Sequence, residues 1–89
     1  MKVRRHFFFS GEVQGVGFRY SAFHLAEALG LTGWVRNLWD GRVEMEAQGD
    51  EAAVERLASS LDGRRWIRID GVERRDMPLQ EEERRFRII

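Results

Sequence analysis

The stretch His6-Phe7-Phe8-Phe9-Ser10-Gly11-Glu12-Val13-Gln14-Gly15-Val16-Gly17-Phe18-Arg19 joins an apolar run, a glycine-rich turn and the start of a helical pattern. In His6 to Ser10, Phe7 and Phe9 share one face and Phe8 takes the other, as alternation along a strand requires. From Phe18 onward, apolar residues recur at Ala22, Leu25, Ala26 and Leu29, the spacing of one buried helical stripe. Between the two elements, Gly11, Gly15 and Gly17 let the backbone turn tightly. Such a loop can aim several amide N–H groups at one point, and Arg19 adds a fixed positive charge there. Those are the components of a site for a phosphoryl-sized anion. A cation at a helix N-terminus opposes the helix dipole, and a bound dianion would give Arg19 a reason to stand there. The plainer readings are a strand-to-helix turn for the glycines and a solvated first-turn side chain for Arg19.

Outward from this stretch, Gly30 is placed to end the first helix in the left-handed conformation. Leu31 to Leu38 reads as a second strand, and Asp40-Gly41 is a hairpin signal. In Arg42 to Gln48, Val43, Met45 and Ala47 point inward. Arg42, Glu44, Glu46 and Gln48 point outward, which predicts a sheet with one wet face and makes Glu44 and Glu46 solvated residues. Asp50 can cap a second helix, whose stripe is Val54, Leu57, Ala58 and Leu61 and whose stop is Asp62-Gly63. Trp66 to Val72 reads as a fourth strand, with Ile67 and Ile69 on one face. Arg74 to Glu83 reads as an exposed loop around Pro78, and the charged run Gln80 to Arg85 as solvated. Phe86 and Ile88, alternating with Arg87, read as a short closing strand. His6 and His24 stand isolated, and His24 lies off the apolar stripe of its helix. The order predicts an α+β, ferredoxin-like β-α-β-β-α-β two-layer sandwich. Its sheet is expected to be antiparallel with a short C-terminal fifth strand, residues 1–89 forming one domain.

Composition narrows the classes of function. The chain has 89 residues, enough for one core; its apolar fraction of 43% and charged fraction of 34% are those of a globular protein, not a disordered one. Formal net charge is zero, so no global field draws in nucleic acid or an anionic membrane. Cysteine is absent, which excludes disulfides, thiolate nucleophiles and cysteine-based metal sites. A cytoplasmic location is the expectation. No apolar run approaches the roughly 18 residues of a membrane span, and His6 to Phe9, which follow the basic start, are too short for the apolar region of a signal peptide. An RNA-binding reading of this fold needs aromatic residues on the outer sheet face. The third strand puts Arg42, Glu44, Glu46 and Gln48 there instead.

Two blocks of this sequence resemble the signatures of a known family. Gly11-x-Val13-Gln14-Gly15-Val16-x-Phe18-Arg19 is the first, and Gly33-Trp34-Val35-Arg36-Asn37-x-x-x-Gly41-x-Val43 followed by Gly49 is the second. Both resemble the acylphosphatases, and Phe86-Arg87-Ile88 is similar to that family's last strand. The resemblance implies an enzyme that hydrolyses acyl phosphates to a carboxylate and orthophosphate, with no cofactor and no metal. It places the catalytic roles on Arg19, which would bind the phosphoryl group, and Asn37, which would orient the attacking water. It places the phosphate cradle on Val13, Gln14, Gly15, Val16, Gly17 and Phe18. The expected partners are a small acyl phosphate and inorganic phosphate, with no nucleic acid and no membrane, and the expected state is a monomer. The string Gly15 to Arg19 also resembles the acylphosphatase-like domain of hydrogenase-maturation carbamoyltransferases. That domain typically has proline after the arginine, where this chain has Tyr20. A non-catalytic module that binds phosphate or acyl phosphate is the alternative function. Asn37 beside Asp40-Gly41 has a turn-forming role open to it as well. Trp34 and Trp39, near Asn37 in sequence, are candidates for an acyl pocket or for packing, and Tyr20 flanks Arg19.

Overall fold

A computed structural model describes residues 1–89, with the elements β1 (Lys2–Glu12), α1 (Phe18–Ala28), β2 (Thr32–Asn37), β3 (Val43–Asp50), α2 (Glu51–Leu61), β4 (Arg68–Met77) and β5 (Phe86–Ile88). The strands form one sheet in the order β4-β1-β3-β2-β5. Phe7, Phe9, Val35, Val43, Met45 and Ala47 project from one sheet face into the core, where Phe18, Ala22 and Ala26 of α1 meet Val54, Leu57, Ala58 and Leu61 of α2. The expected two-layer sandwich is therefore the observed one. Neither helix is long and apolar enough to cross a membrane.

The helix ends follow the local chemistry. The Asp50 carboxylate accepts a hydrogen bond from the Ala52 N–H at 3.2 Å and caps α2. At the end of α1, Gly30 takes φ 72°. Its N–H donates to the Glu27 carbonyl at 3.2 Å, and the Leu31 N–H donates to Ala26 at 2.9 Å. These are the paired bonds of a left-handed helix stop.

Three expectations are corrected. The sheet is mixed, because β5 runs parallel to β2, with Phe86 opposite Gly33 and Ile88 opposite Val35. β4 lies on one edge of the sheet and the chain crosses to the other edge before β5 begins. Reversing after β4 gives β5 the direction of β2, which is antiparallel to β3.

β1 and β4 are also longer than their apolar segments. They pair from Arg4 opposite Met77 to Glu12 opposite Arg68, so Arg74 to Met77 is strand and not loop. Trp66 lies before β4, in the turn after α2. The extra length is held by charge: the Arg5 guanidinium binds Glu51 at 2.7 Å, Glu55 at 2.5 Å and Asp76 at 3.0 Å.

Finally, the outer sheet face is not simply wet. Arg4 is only 3% exposed, under the segment that follows β4. It binds Glu46 at 2.6 Å and Glu83 at 2.7 Å, while the Gln80 N–H donates to Gln48 at 2.7 Å and the Gln48 amide donates back to the Gln80 carbonyl at 3.0 Å. Gln80 to Glu83 is thus tied down across the sheet. Glu44 accepts from Arg36 at 2.7 Å and pairs with the His6 Nε2 at 2.7 Å, so His6 is buried and partnered. Burial acts to raise the Glu44 carboxyl, but its bonds to His6 and Arg36 outweigh that and hold it below the ordinary value of 4.5.

Candidate active site

The loop between β1 and α1 is launched by a bulge. The register of β1 on β4 slips between Ser10, opposite Gly71, and Gly11, opposite Ile69. Gly11 has φ 125°, and a Cβ there would lie 2.4 Å from the Arg68 carbonyl oxygen, so only glycine lets the strands approach at this point. Beyond the bulge the chain leaves the sheet at Val13. It reaches α1 through Gly15 at φ 74° and Gly17 at φ 81°, the second being the left-handed residue that begins the helix.

No backbone N–H from Val13 to Tyr20 donates to an acceptor within the protein. The first turn of a helix always leaves such donors open. Here the open run extends back through the loop, and α1 has no side-chain cap to fill it. Arg19 is exposed, and its guanidinium engages no carboxylate or carbonyl of the chain.

Asn37 is the last residue of β2. Its Oδ1 is buried and has no hydrogen-bond partner within the protein. A buried amide oxygen without any partner costs about 1–3 kcal/mol. The hairpin that follows is closed by the Leu38 N–H donating to the Arg42 carbonyl at 2.8 Å.

Gln14 joins the two segments. Its side-chain amide donates to the Leu38 carbonyl at 2.7 Å and to the Arg42 carbonyl at 2.9 Å. The brace fixes the glycine loop against the hairpin that carries Asn37. Arg19 and Asn37, 18 positions apart in the sequence (37 − 19), line one concavity of ≈ 230 Å³ together with Val13, Gly15, Gly17, Phe18, Tyr20 and Ile88.

Of the expected cradle, Val13, Gly15, Gly17 and Phe18 face this concavity; Val16 lines a neighbouring one, and the side chain of Gln14 is committed to the hairpin. Ile88 has no local signal in the sequence. It arrives because β5 lies parallel beside β2. Trp34 and Trp39 do not line the concavity: Trp34 packs 6.2 Å from the His6 ring on the outer sheet face, and Trp39 is 98% exposed at the hairpin tip. His24 packs edge-on against Tyr20 at 4.6 Å.

An array of open amide donors, one free guanidinium and one unpartnered amide oxygen suits a tetrahedral anion accompanied by a polar molecule. The family model for Acylphosphatase matches residues 5–88. The chain belongs to the acylphosphatase family. It is 44% identical over 89 residues to an acylphosphatase of Caldanaerobacter subterraneus subsp. tengcongensis, with 99% of each chain covered. The crystal structure of acylphosphatase from Bacillus subtilis superposes with a TM-score of 0.89 at 32% identity, covering 100% of this chain and 99% of that one. A crystal structure of T. kodakarensis HypF superposes with a TM-score of 0.83 at 33% identity, but the match is only 12% of that chain.

Proposed function

We propose that this protein hydrolyses acyl phosphates at the concavity shared by Arg19 and Asn37. The observation that carries the reading is that one concavity is lined by Gly15, Gly17 and Phe18 of the loop whose N–H groups have no partner in the chain, by the unpaired Arg19 and by Asn37. Family membership supports the reaction itself.

An acyl phosphate is a mixed anhydride whose carboxylate already leaves well. The protein has to hold the phosphoryl group, stabilise charge on its equatorial oxygens and place a water in line. The loop amides and Arg19 do the first two tasks. A guanidinium is suited to this because its planar fork donates two parallel bonds to phosphate oxygens. The Asn37 amide accepts from and donates to a water behind phosphorus. That water's oxygen forms the new P–O bond as the bond from phosphorus to the acyl oxygen breaks. The electron pair leaves on the carboxylate, and the water's proton passes to a phosphate oxygen or to solvent. Asn37 is too weak a base to take it and serves as a positioning group. No metal takes part in this scheme. The chain works as a single-domain monomer in the cytoplasm, a setting that fits a sequence without cysteine.

The test is turnover of benzoyl phosphate by the wild type, Arg19→Ala and Asn37→Ala, with and without chelator. The expected result is chelator-resistant turnover that collapses in both variants. A wild type that binds phosphate but turns nothing over would identify a binding module instead.

A further inference from the structure

Gly15, Gly17 and Tyr20 have two sides. One lines the concavity of Arg19 and Asn37. The other lines a larger concavity of ≈ 630 Å³ whose far wall is Arg64, Arg65 and Trp66. That wall is a tight turn between α2 and β4. The Ile67 N–H donates to the Arg64 carbonyl at 2.8 Å, and the Gly63 N–H donates to the Ile67 carbonyl at 3.1 Å. Arg65 is held at φ 48°, the one left-handed residue of the chain that is not glycine. The turn presents Trp66 at 77% exposure, opposite Tyr20 at 66%.

The electrostatics are one-sided. No acidic residue lines this concavity, and neither Arg64 nor Arg65 takes part in an ion pair. Elsewhere Arg4, Arg5, Arg36, Arg42, Arg68 and Arg74 have carboxylate partners, while Arg19, Arg56, Arg75, Arg84, Arg85 and Arg87, like Arg64 and Arg65, have none; what sets Arg64 and Arg65 apart is that they stand together on one wall of a concavity.

We propose that this second concavity receives the acyl part of the substrate and favours acyl phosphates that carry a further anionic group. The proposal rests on the phosphoryl group occupying the neighbouring site as described above. An acyl group leaving that site past Gly15, Gly17 and Tyr20 meets the Tyr20 and Trp66 rings. A carboxylate or phosphate at its far end meets Arg64 and Arg65. His24, edge-on to Tyr20, helps fix that ring.

The experiment compares kcat/KM for two probes, benzoyl phosphate and the monophosphoric anhydride of succinic acid, which keeps a free carboxylate. In R64Q/R65Q the ratio of succinyl to benzoyl phosphate is expected to fall about tenfold, mainly through KM, the size of losing a solvent-open charge-assisted contact. R64Q alone, which leaves the left-handed residue in place, is expected to give part of that fall. Inhibition by inorganic phosphate, a probe of the Arg19 side, should move less than about threefold. An unchanged ratio overturns the proposal and leaves the hydrolase reading intact, as does an equal loss on both substrates and on phosphate. A wild type inactive on both probes overturns the hydrolase reading and the acyl subsite with it.

Discussion

The outer face of the sheet and the loop at the head of α1 treat their polar groups in opposite ways. On the sheet face, Arg4 joins Glu46, Glu83 and Gln48, and Glu44 joins His6 and Arg36. In the loop, the amides from Val13 to Tyr20, the Arg19 guanidinium and the Asn37 oxygen have no partner in the chain. Polar groups that satisfy one another hold the fold. In the proposed function, the polar groups left open hold the phosphoryl group, at some expense in stability. The Gln14 brace is the exception that makes the loop usable, because it spends one side chain to fix the open groups against the hairpin.

The largest expected effect that would break this contrast comes from Arg19. Arg19→Ala should lower kcat/KM on benzoyl phosphate by about a thousandfold or more, since removing one preorganised donor costs about 2.7–4 kcal/mol and this one is charged. Its unfolding free energy should stay within about 0.5 kcal/mol of wild type in urea titrations, because the side chain makes no contact that the fold needs. A comparable loss of stability would place Arg19 among the structural charges.

Asn37→Ala should lower kcat by about a hundredfold to a thousandfold while inorganic phosphate inhibits nearly as before. Collapse of phosphate inhibition would reassign Asn37 from water to phosphoryl binding.

Arg4→Ala probes the other side. Removing it strands the Glu46 and Glu83 carboxylates under the crossing segment, which should cost about 3 kcal/mol of stability with kcat little changed. Denaturant midpoints and kinetics at a temperature where the variant is folded check both halves.

Gln14→Ala lies between the two regions. It removes two bonds to the hairpin, and kcat/KM should fall about tenfold with a stability loss of about 1–2 kcal/mol.

The smallest effect is on acid stability. The Glu44 and Glu55 carboxyls are held below 4.5: burial works against this, but the bonds of Glu44 to His6 and Arg36, and of Glu55 to Arg74 and Arg5, outweigh it. Their contribution is full above the unfolded value of 4.5 and is lost as pH falls through the lower folded value. Glu44→Gln should therefore flatten the acid limb of stability by less than about 1 kcal/mol. An unchanged limb would remove Glu44 from the paired network.

Much of this arrangement was legible in the chain. Alternation marked Phe7, Phe9, Val43 and Met45 as inward, helical spacing marked Ala22, Ala26, Val54 and Leu57, and glycine punctuation marked the loop and helix stop. The two signature blocks pointed to Arg19 and Asn37. These features are local: a period or a left-handed turn is written in a few consecutive residues. Local signals failed where partners are distant. Lys2 to Arg5 and Arg74 to Met77 lack an apolar pattern and become strand through each other and through α2. His6 reads as isolated until β3 brings Glu44 beside it, and Gln80 to Glu83 reads as solvated until Arg4 and Gln48 hold it.

The sequence by itself determined the two layers, the element order and the glycine-punctuated loop, and it singled out Arg19 and Asn37 as the residues on which the proposed function rests. Only the tertiary structure decided the direction of β5, the arrival of Ile88 beside Asn37, the Gln14 brace and the second concavity behind the loop. The reason is physical. Backbone periodicity and glycine conformation act over a few residues, whereas strand direction at a sheet edge and the meeting of unpaired charges depend on where the whole chain has already been placed.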